Sequence, residues 1–340
     1  MNLKALLKKT FILCSIVFLI IVVSETVFKK LGYPVSYSAL FEYDKEIGFI
    51  TPKSKTVTFL TGKNIYEVNF DSNGIIDNFE GKVENIILGD GLVAGMELPK
   101  KSRLAYKVGE QIQQGTINLS VTGHGVYQQA LLLERYIKLK GITPKNVIII
   151  FNYESDLFDH ISELNSPLKP GFSYLSDSNK FIKPKIPNFL YANLSSVWRS
   201  SSLIQWVVQN FFKSKKIKKI LPDATVYILK NPDSEIGKIA ILSVNESFKK
   251  IKKLGENYGF NILVIEWVPP NFEKLVTSKE MEKIRSKMKE TFHAYFLVNP
   301  CRYCLGIDSA NKVFIKDSHH LNSHATEILA HEISKELKSK

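Results

Sequence analysis

Cysteine is scarce in this chain: three residues in 340, with Cys14 in an apolar stretch and Cys301 and Cys304 forming one CxxC. No second CxxC and no Cys/His pair stands at zinc spacing, which argues against a structural zinc site. Internal repeats and long low-complexity tracts are also missing. Acid is in short supply, at 33 Asp and Glu against 46 Lys and Arg, a formal net charge of +13. Such an excess suits nucleic acid, an anionic membrane surface or an acidic polysaccharide. The lysines are scattered, however, and the one dense run, Lys213 to Lys219, reads as a solvated and membrane-facing patch. No nucleic-acid module signature accompanies it, so nucleic acid is not an expected partner.

What is present is a chain with 44 % hydrophobic and 23 % charged residues, long enough to bury a full core. Its N-terminus carries the clearest local signal. Lys4, Lys8 and Lys9 precede an apolar run from Phe11 to Val23 that continues more weakly to Phe28. At helical rise, Thr10 to Phe28 spans about 28 Å, close to a bilayer core. Lys29 and Lys30 follow the run and weaken the charge asymmetry that would orient it. A cleaved signal peptide is the rival reading, with Val22 and Ser24 at the small-residue positions; an uncleaved anchor is preferred. Either reading exports the bulk of the chain. In an exported chain a lone CxxC reads as a local disulfide, and Asn299-Pro300 before it argues against a redox helix start.

The boundaries expected are an anchor over 1–30, a lead-in with short strands over 31–84, and a large domain over 85–340 with an insertion at 160–233. In the lead-in, Thr56 to Leu60 and Ile65 to Phe70 alternate enough for strands, and Asp71-Ser72-Asn73-Gly74 is a turn. From residue 85 strands alternate with helices. Strands are expected at Asn85–Leu88, Thr116–Val121, Asn146–Phe151, Asn261–Trp267 and near Gly306-Ile307-Asp308. Helices are expected at Val126–Leu139, Ser234–Tyr258, Lys279–Phe292 and Ser323–Leu337. This is the pattern of a doubly wound, flavodoxin-like parallel α/β sheet. The insertion, with Pro167, Pro170, Pro184 and Pro187 and a helix over Ser195–Phe212, is expected to cap the carboxyl edge where ligands bind.

Four segments at strand ends, or just before the last helix, carry the chemistry: Gly89-Asp90-Gly91, Asn118 to Gly123, Phe151 to Asp156, and Asp317-Ser318-His319-His320. In this order they resemble the four blocks of the SGNH (GDSL-type) hydrolases, and the stretch from His124 to Gln129 is similar to membrane-anchored members. The resemblance covers most of residues 43 to 333. It implies an ester hydrolase or acyltransferase in which His320 is the base, Asp317 orients it, and the Gly123 N–H contributes to the oxyanion hole. No cofactor and no metal is implied, and His324, four residues past His320, has no evident third ligand beside it.

Two positions depart from the family pattern. Gly91 stands where the nucleophilic serine belongs, and Ser155 where the oxyanion-hole asparagine belongs. Losing one oxyanion donor costs on the order of 100- to 1000-fold; losing the nucleophile removes the covalent route. The preferred expectation is therefore a degenerate SGNH protein that binds an acylated or acidic glycan or lipid, or acts as a scaffold, in envelope polysaccharide metabolism. The alternative is a working esterase or O-acyltransferase that uses Ser155, Ser120 or a His320-activated water, and a third is that Gly91 is a variant in an active lineage.

Overall fold

The computed structural model of the chain describes residues 3–30, 35–36, 40–61, 64–76, 79, 81–157, 159, 172–178, 180–183, 201, 203, 220–268, 276–292, 296–297, 314 and 320–339. It opens with helix α1, Leu3–Lys30, whose window Lys9–Phe28 is apolar and long enough to cross a membrane and has no share buried inside the molecule.

The lead-in comprises β1 (Val35–Ser36), β2 (Glu42–Asp44), β3 (Gly48–Ile50), β4 (Lys55–Thr61) and β5 (Asn64–Phe70). Strands β2 and β3 form an antiparallel hairpin, while β4 pairs with β5 and with β1. Their inward residues Phe49, Val57, Phe59, Val68 and Phe70 form a core with Ala94, Met96 and Val121 of the large domain. Polar ties reinforce that seam. Arg135 grips Asp44 through two bonds of 2.7 and 2.8 Å, and Gln128 Nε2 donates to the Ile47 carbonyl at 2.7 Å.

Next come β6 (Val83–Leu88), α2 (Gly91–Ala94), α3 (Leu104–Ile112), β7 (Gly115–Asn118), α4 (Val126–Lys140), β8 (Asn146–Asn152), β9 (Ser173–Leu175), β10 (Lys180–Ile182), α5 (Ile220–Lys230), α6 (Glu235–Tyr258), β11 (Asn261–Trp267), α7 (Ser278–Phe292), β12 (Phe296–Leu297) and α8 (Ser323–Ser339). Five of the strands make one parallel sheet in the order β12-β11-β8-β6-β7. In chain order of those five this is 2-1-3-4-5, the doubly wound order expected, with its switch point between β6 and β8.

The unbroken apolar run of β8 follows from that position. Val147, Ile149 and Phe151 face the core shared with α4, α6 and α7, while Ile148 and Ile150 face α2, α3 and α8. A central strand covered on both faces has no polar side to offer. The long α6 begins at Ser234, whose Oγ accepts from the Gly237 N–H at 3.1 Å. It ends on Gly259 at φ 72°, a left-handed position that glycine adopts without a Cβ clash.

One sequence expectation shifts, one helix is new, and part of the expected insertion lies outside the described residues. The strand expected over Thr116–Val121 ends at Asn118, because the Asn118 side chain accepts the Ser120 N–H at 2.9 Å and turns the chain. Helix α3 was not anticipated, since its nine residues mix apolar and polar positions with a glycine inside. Of the insertion, the hairpin β9–β10 is held to α4 by Tyr127 stacking on Phe181, ring centroids 3.8 Å apart. The helix expected over 195–212 lies outside the described residues except for Ser201 and Leu203, which both donate to Glu25 Oε2 near the end of α1. Also outside them are the strand at 306–308, the Lys213–Lys219 run, Cys301 and Cys304.

Candidate functional site

The carboxyl ends of β6 and β8 meet at the switch point, and the site is built there. The turn after β6 places Asp90 as the N-cap of α2, its Oδ1 accepting the Leu92 N–H at 2.8 Å. That capping bond fixes Gly91 as the first helical residue, buried in the floor of the cleft. The other oxygen of Asp90 accepts from Asn152 Nδ2 at 3.1 Å and from Ser155 Oγ. Ser155 thus spends its hydroxyl proton on Asp90, and Asn152 at the end of β8 is the amide in this cluster.

Asp156 sits beneath it, fully buried, accepting the Asn152 N–H at 2.7 Å. Burial, then the charges of Asp90 and Asp159, push its carboxyl well above the usual carboxylate range. Among the described residues Asp156 Oδ1 has no hydrogen-bond partner.

The second wall is the turn after β7. The Val121 N–H donates to the Gly89 carbonyl at 3.3 Å and the His124 N–H to the Val121 carbonyl at 3.0 Å. Gly123 takes a φ of +85° there and is exposed. His124 is buried and bonded through Nε2 to the Phe49 carbonyl at 2.8 Å, a structural role. Thr122, between Val121 and Gly123, is turned to Gly91.

His320 completes the site from the third side. The Leu321 N–H donates to the Leu92 carbonyl at 3.3 Å, tying the segment before α8 to α2. The Nδ1 atom of His320 lies 2.8 Å from Glu97 Oε2, and the Glu97 side chain has no solvent exposure, against 17 % for His320. Glu97 belongs to the loop that leaves α2 at Gly95. Arg103 Nε holds that loop by donating to the Gly95 and Leu98 carbonyls, each at 3.0 Å.

With Nδ1 on Glu97, Nε2 faces Gly91. A Cβ built on Gly91 would stand 2.7 Å from Thr122 Cγ2, 2.8 Å from His320 Nε2 and 3.0 Å from Thr122 Oγ1. Imidazole and threonine therefore close on the glycine, in the space where a serine side chain would project.

The sequence-predicted residues Gly91, Ser155 and His320 are thus brought to one sheet edge, with Gly123 on the adjoining turn, while Asp317 lies outside the described residues. Ser120 is buried beside the Gly89 backbone. Sequence reasoning missed Glu97, Thr122 and Asn152. Glu97 sits in a loop with no motif around it; Asn152 could have been flagged as the polar residue ending an apolar strand. Among the described residues no group of three His, Cys, Asp or Glu side chains is placed to hold a metal ion.

No family model and no curated protein matches the chain. Similar solved structures include a psychrotrophic esterase from Pseudoalteromonas sp., at 13 % identity and TM-score 0.39, covering 75 % of this chain and 97 % of that one. A lipase/acylhydrolase from Enterococcus faecalis stands at 12 % and 0.39, with 76 % and 96 % covered. A carbohydrate esterase, described as having divergent catalytic and non-catalytic binding functions, stands at 9 % and 0.39, with 77 % and 67 % covered. The fold itself is a doubly wound parallel α/β sheet with helices on both faces. The cleft brings the His320 imidazole, held by Glu97, to a buried glycine at position 91 that offers no hydroxyl.

Proposed function

We propose that the chain is a membrane-tethered, extracytoplasmic SGNH-type protein that binds an acylated or acidic glycan or lipid without serine-ester chemistry. It serves as a binding or scaffold component in envelope polysaccharide metabolism. The observation that carries this reading is the closure over Gly91: position 91 has no hydroxyl, and Nε2 of His320 and the methyl of Thr122 stand where a nucleophile would project. Ser155, the other hydroxyl at the floor, is bound to Asp90. The basic excess of +13 supports an acidic ligand, and α1 supports the tether.

The full chain in detergent is treated with a fluorophosphonate probe and assayed with p-nitrophenyl acetate, beside His320→Ala. Wild type is expected to take up no probe and to match His320→Ala in turnover. Turnover that His320→Ala abolishes would sink the reading.

One observation favours a second reading, in which the site still transfers acyl groups. Thr122 Oγ1 and His320 Nε2 both approach the point above Gly91, so a threonine hydroxyl faces the base that Glu97 holds. Probe found covalently on Thr122 by mass spectrometry selects this reading over the first.

A further inference from the structure

We propose that Glu97 is the positioning carboxylate of His320. The role that the Asp-x-x-His pattern assigns to Asp317, three residues before the imidazole, is filled from the opposite wall, by the loop that follows Gly91. The inference goes beyond the binding reading and holds whether or not the site turns over ester.

Three observations support it. The bond is direct, Nδ1 to Oε2 at 2.8 Å, and its acceptor is a carboxylate with no solvent exposure. A buried carboxylate is costly to leave unpaired, so the pair is held together by the penalty for separating it. The pose it enforces is specific: with Nδ1 engaged, Nε2 is delivered to the point above Gly91. The loop that carries Glu97 is itself fixed, through the two carbonyls that Arg103 holds and a third bond from Arg103 Nη1 to the Ile76 carbonyl at 3.2 Å. His320 is fixed independently by the Leu321–Leu92 backbone bond. Glu97 and His320 therefore meet as two anchored partners across the cleft.

Glu97 also lines a cavity of about 680 Å³ between β5 and the 96–103 segment, with Tyr66, Asn69, Leu98 and Lys100 on its walls.

The test uses the full chain in detergent, labelled with ¹⁵N at histidine. His320 is assigned by the signal that His320→Ala removes. A charge-assisted N–H···O bond gives a downfield imidazole proton resonance. Wild type is expected to show it, Asp317→Asn to keep it, and Glu97→Gln to move it upfield. If Asp317→Asn moves the resonance and Glu97→Gln leaves it, or if wild type lacks it, the assignment to Glu97 is wrong. A kinetic readout separates positioning from mere structure. In a Gly91→Ser/Thr122→Ser background that hydrolyses p-nitrophenyl acetate, adding Glu97→Gln is expected to lower kcat at least tenfold with KM unchanged. Adding Asp317→Asn is expected to lower it less, and the reverse order of effects overturns the proposal. Failure here is distinct from failure of the binding reading, which rests on probe uptake by wild type.

Discussion

Residue 91 is one atom group short of a serine, yet replacing the glycine does not simply restore the site. A Cβ there meets Thr122 Cγ2 and His320 Nε2 inside 3 Å, so the imidazole or the threonine must move to admit it. Gly91→Ser alone is expected to give weak, His320-dependent hydrolysis of p-nitrophenyl acetate. Gly91→Ser with Thr122→Ser removes the methyl that crowds Cβ and is expected to exceed the single variant about tenfold in kcat/KM, a gain of roughly 1.4 kcal/mol in the barrier. Equal rates for the two variants would show that the methyl is no obstacle.

Asp156 makes a second argument at the same scale. Its folded pKa lies above the unfolded value, so the native state holds a proton that the unfolded chain releases above about pH 4. The native state therefore loses stability as pH rises from that point towards the raised folded value. Asp156→Asn keeps an acceptor for the Asn152 N–H and removes the penalty. The variant is expected to melt above wild type at pH 8, with a smaller difference at pH 5. A wild-type advantage at pH 8 would contradict the buried, protonated carboxyl.

Among the elements, α6 depends on its ends as much as on its apolar stripe. Ser234 supplies a side-chain cap to its first turn, so Ser234→Ala is expected to cost about 1 kcal/mol, measured by denaturant unfolding. The β2–β3 hairpin depends on a charge. Burial would raise the Asp44 carboxyl, but hydrogen bonds from Arg135 and from the Ile47 and Glu46 amides outweigh it and bring it down to about 2. A depressed carboxylate stabilises the fold above its unfolded pKa and loses that contribution as pH falls through about 2. Asp44→Asn is therefore expected to cost about 1–2 kcal/mol at pH 7 after allowance for solvent screening, and progressively less below about pH 4. A cost that is the same at pH 7 and pH 2.5 would mean that the charge is not what holds the hairpin.

At the scale of the whole molecule, α1 carries an apolar window, Lys9–Phe28, with no buried share. A free helix of that composition would expose apolar surface to water, so a membrane is the solvent it suits. The expected outcome is that the chain stays in the membrane pellet through alkaline carbonate extraction, and that a phosphatase fused after Lys340 is active only outside the cytoplasm. Release into the soluble fraction would return the cleaved-signal reading. The Glu25 contacts with Ser201 and Leu203 join this helix to the insertion.

Periodicity and composition by themselves determined four strands of the sheet, β6, β7, β8 and β11, while β12 at Phe296–Leu297 was not among the strands expected. Strands of β-branched and apolar residues alternating with amphipathic helices leave few ways to bury both faces, and the doubly wound order is one of them. Three of the four blocks likewise marked the carboxyl edge, because each begins where an apolar strand stops. The absence of a hydroxyl at Gly91 was legible in the same way. Glu97 was not, because it belongs to no local pattern, and Thr122 and Asn152 lie inside two of the blocks without any local sign of the roles that the folded contacts give them. Glu97 and His320 are 223 positions apart in the chain, and only the folded loop after α2 brings a buried carboxylate to the imidazole. Ser155 and Asp90 meet across 65 positions for the same reason. A motif records what neighbouring residues do together; which carboxylate holds a base, and which hydroxyl is already spent, depends on contacts between distant segments that only tertiary packing creates.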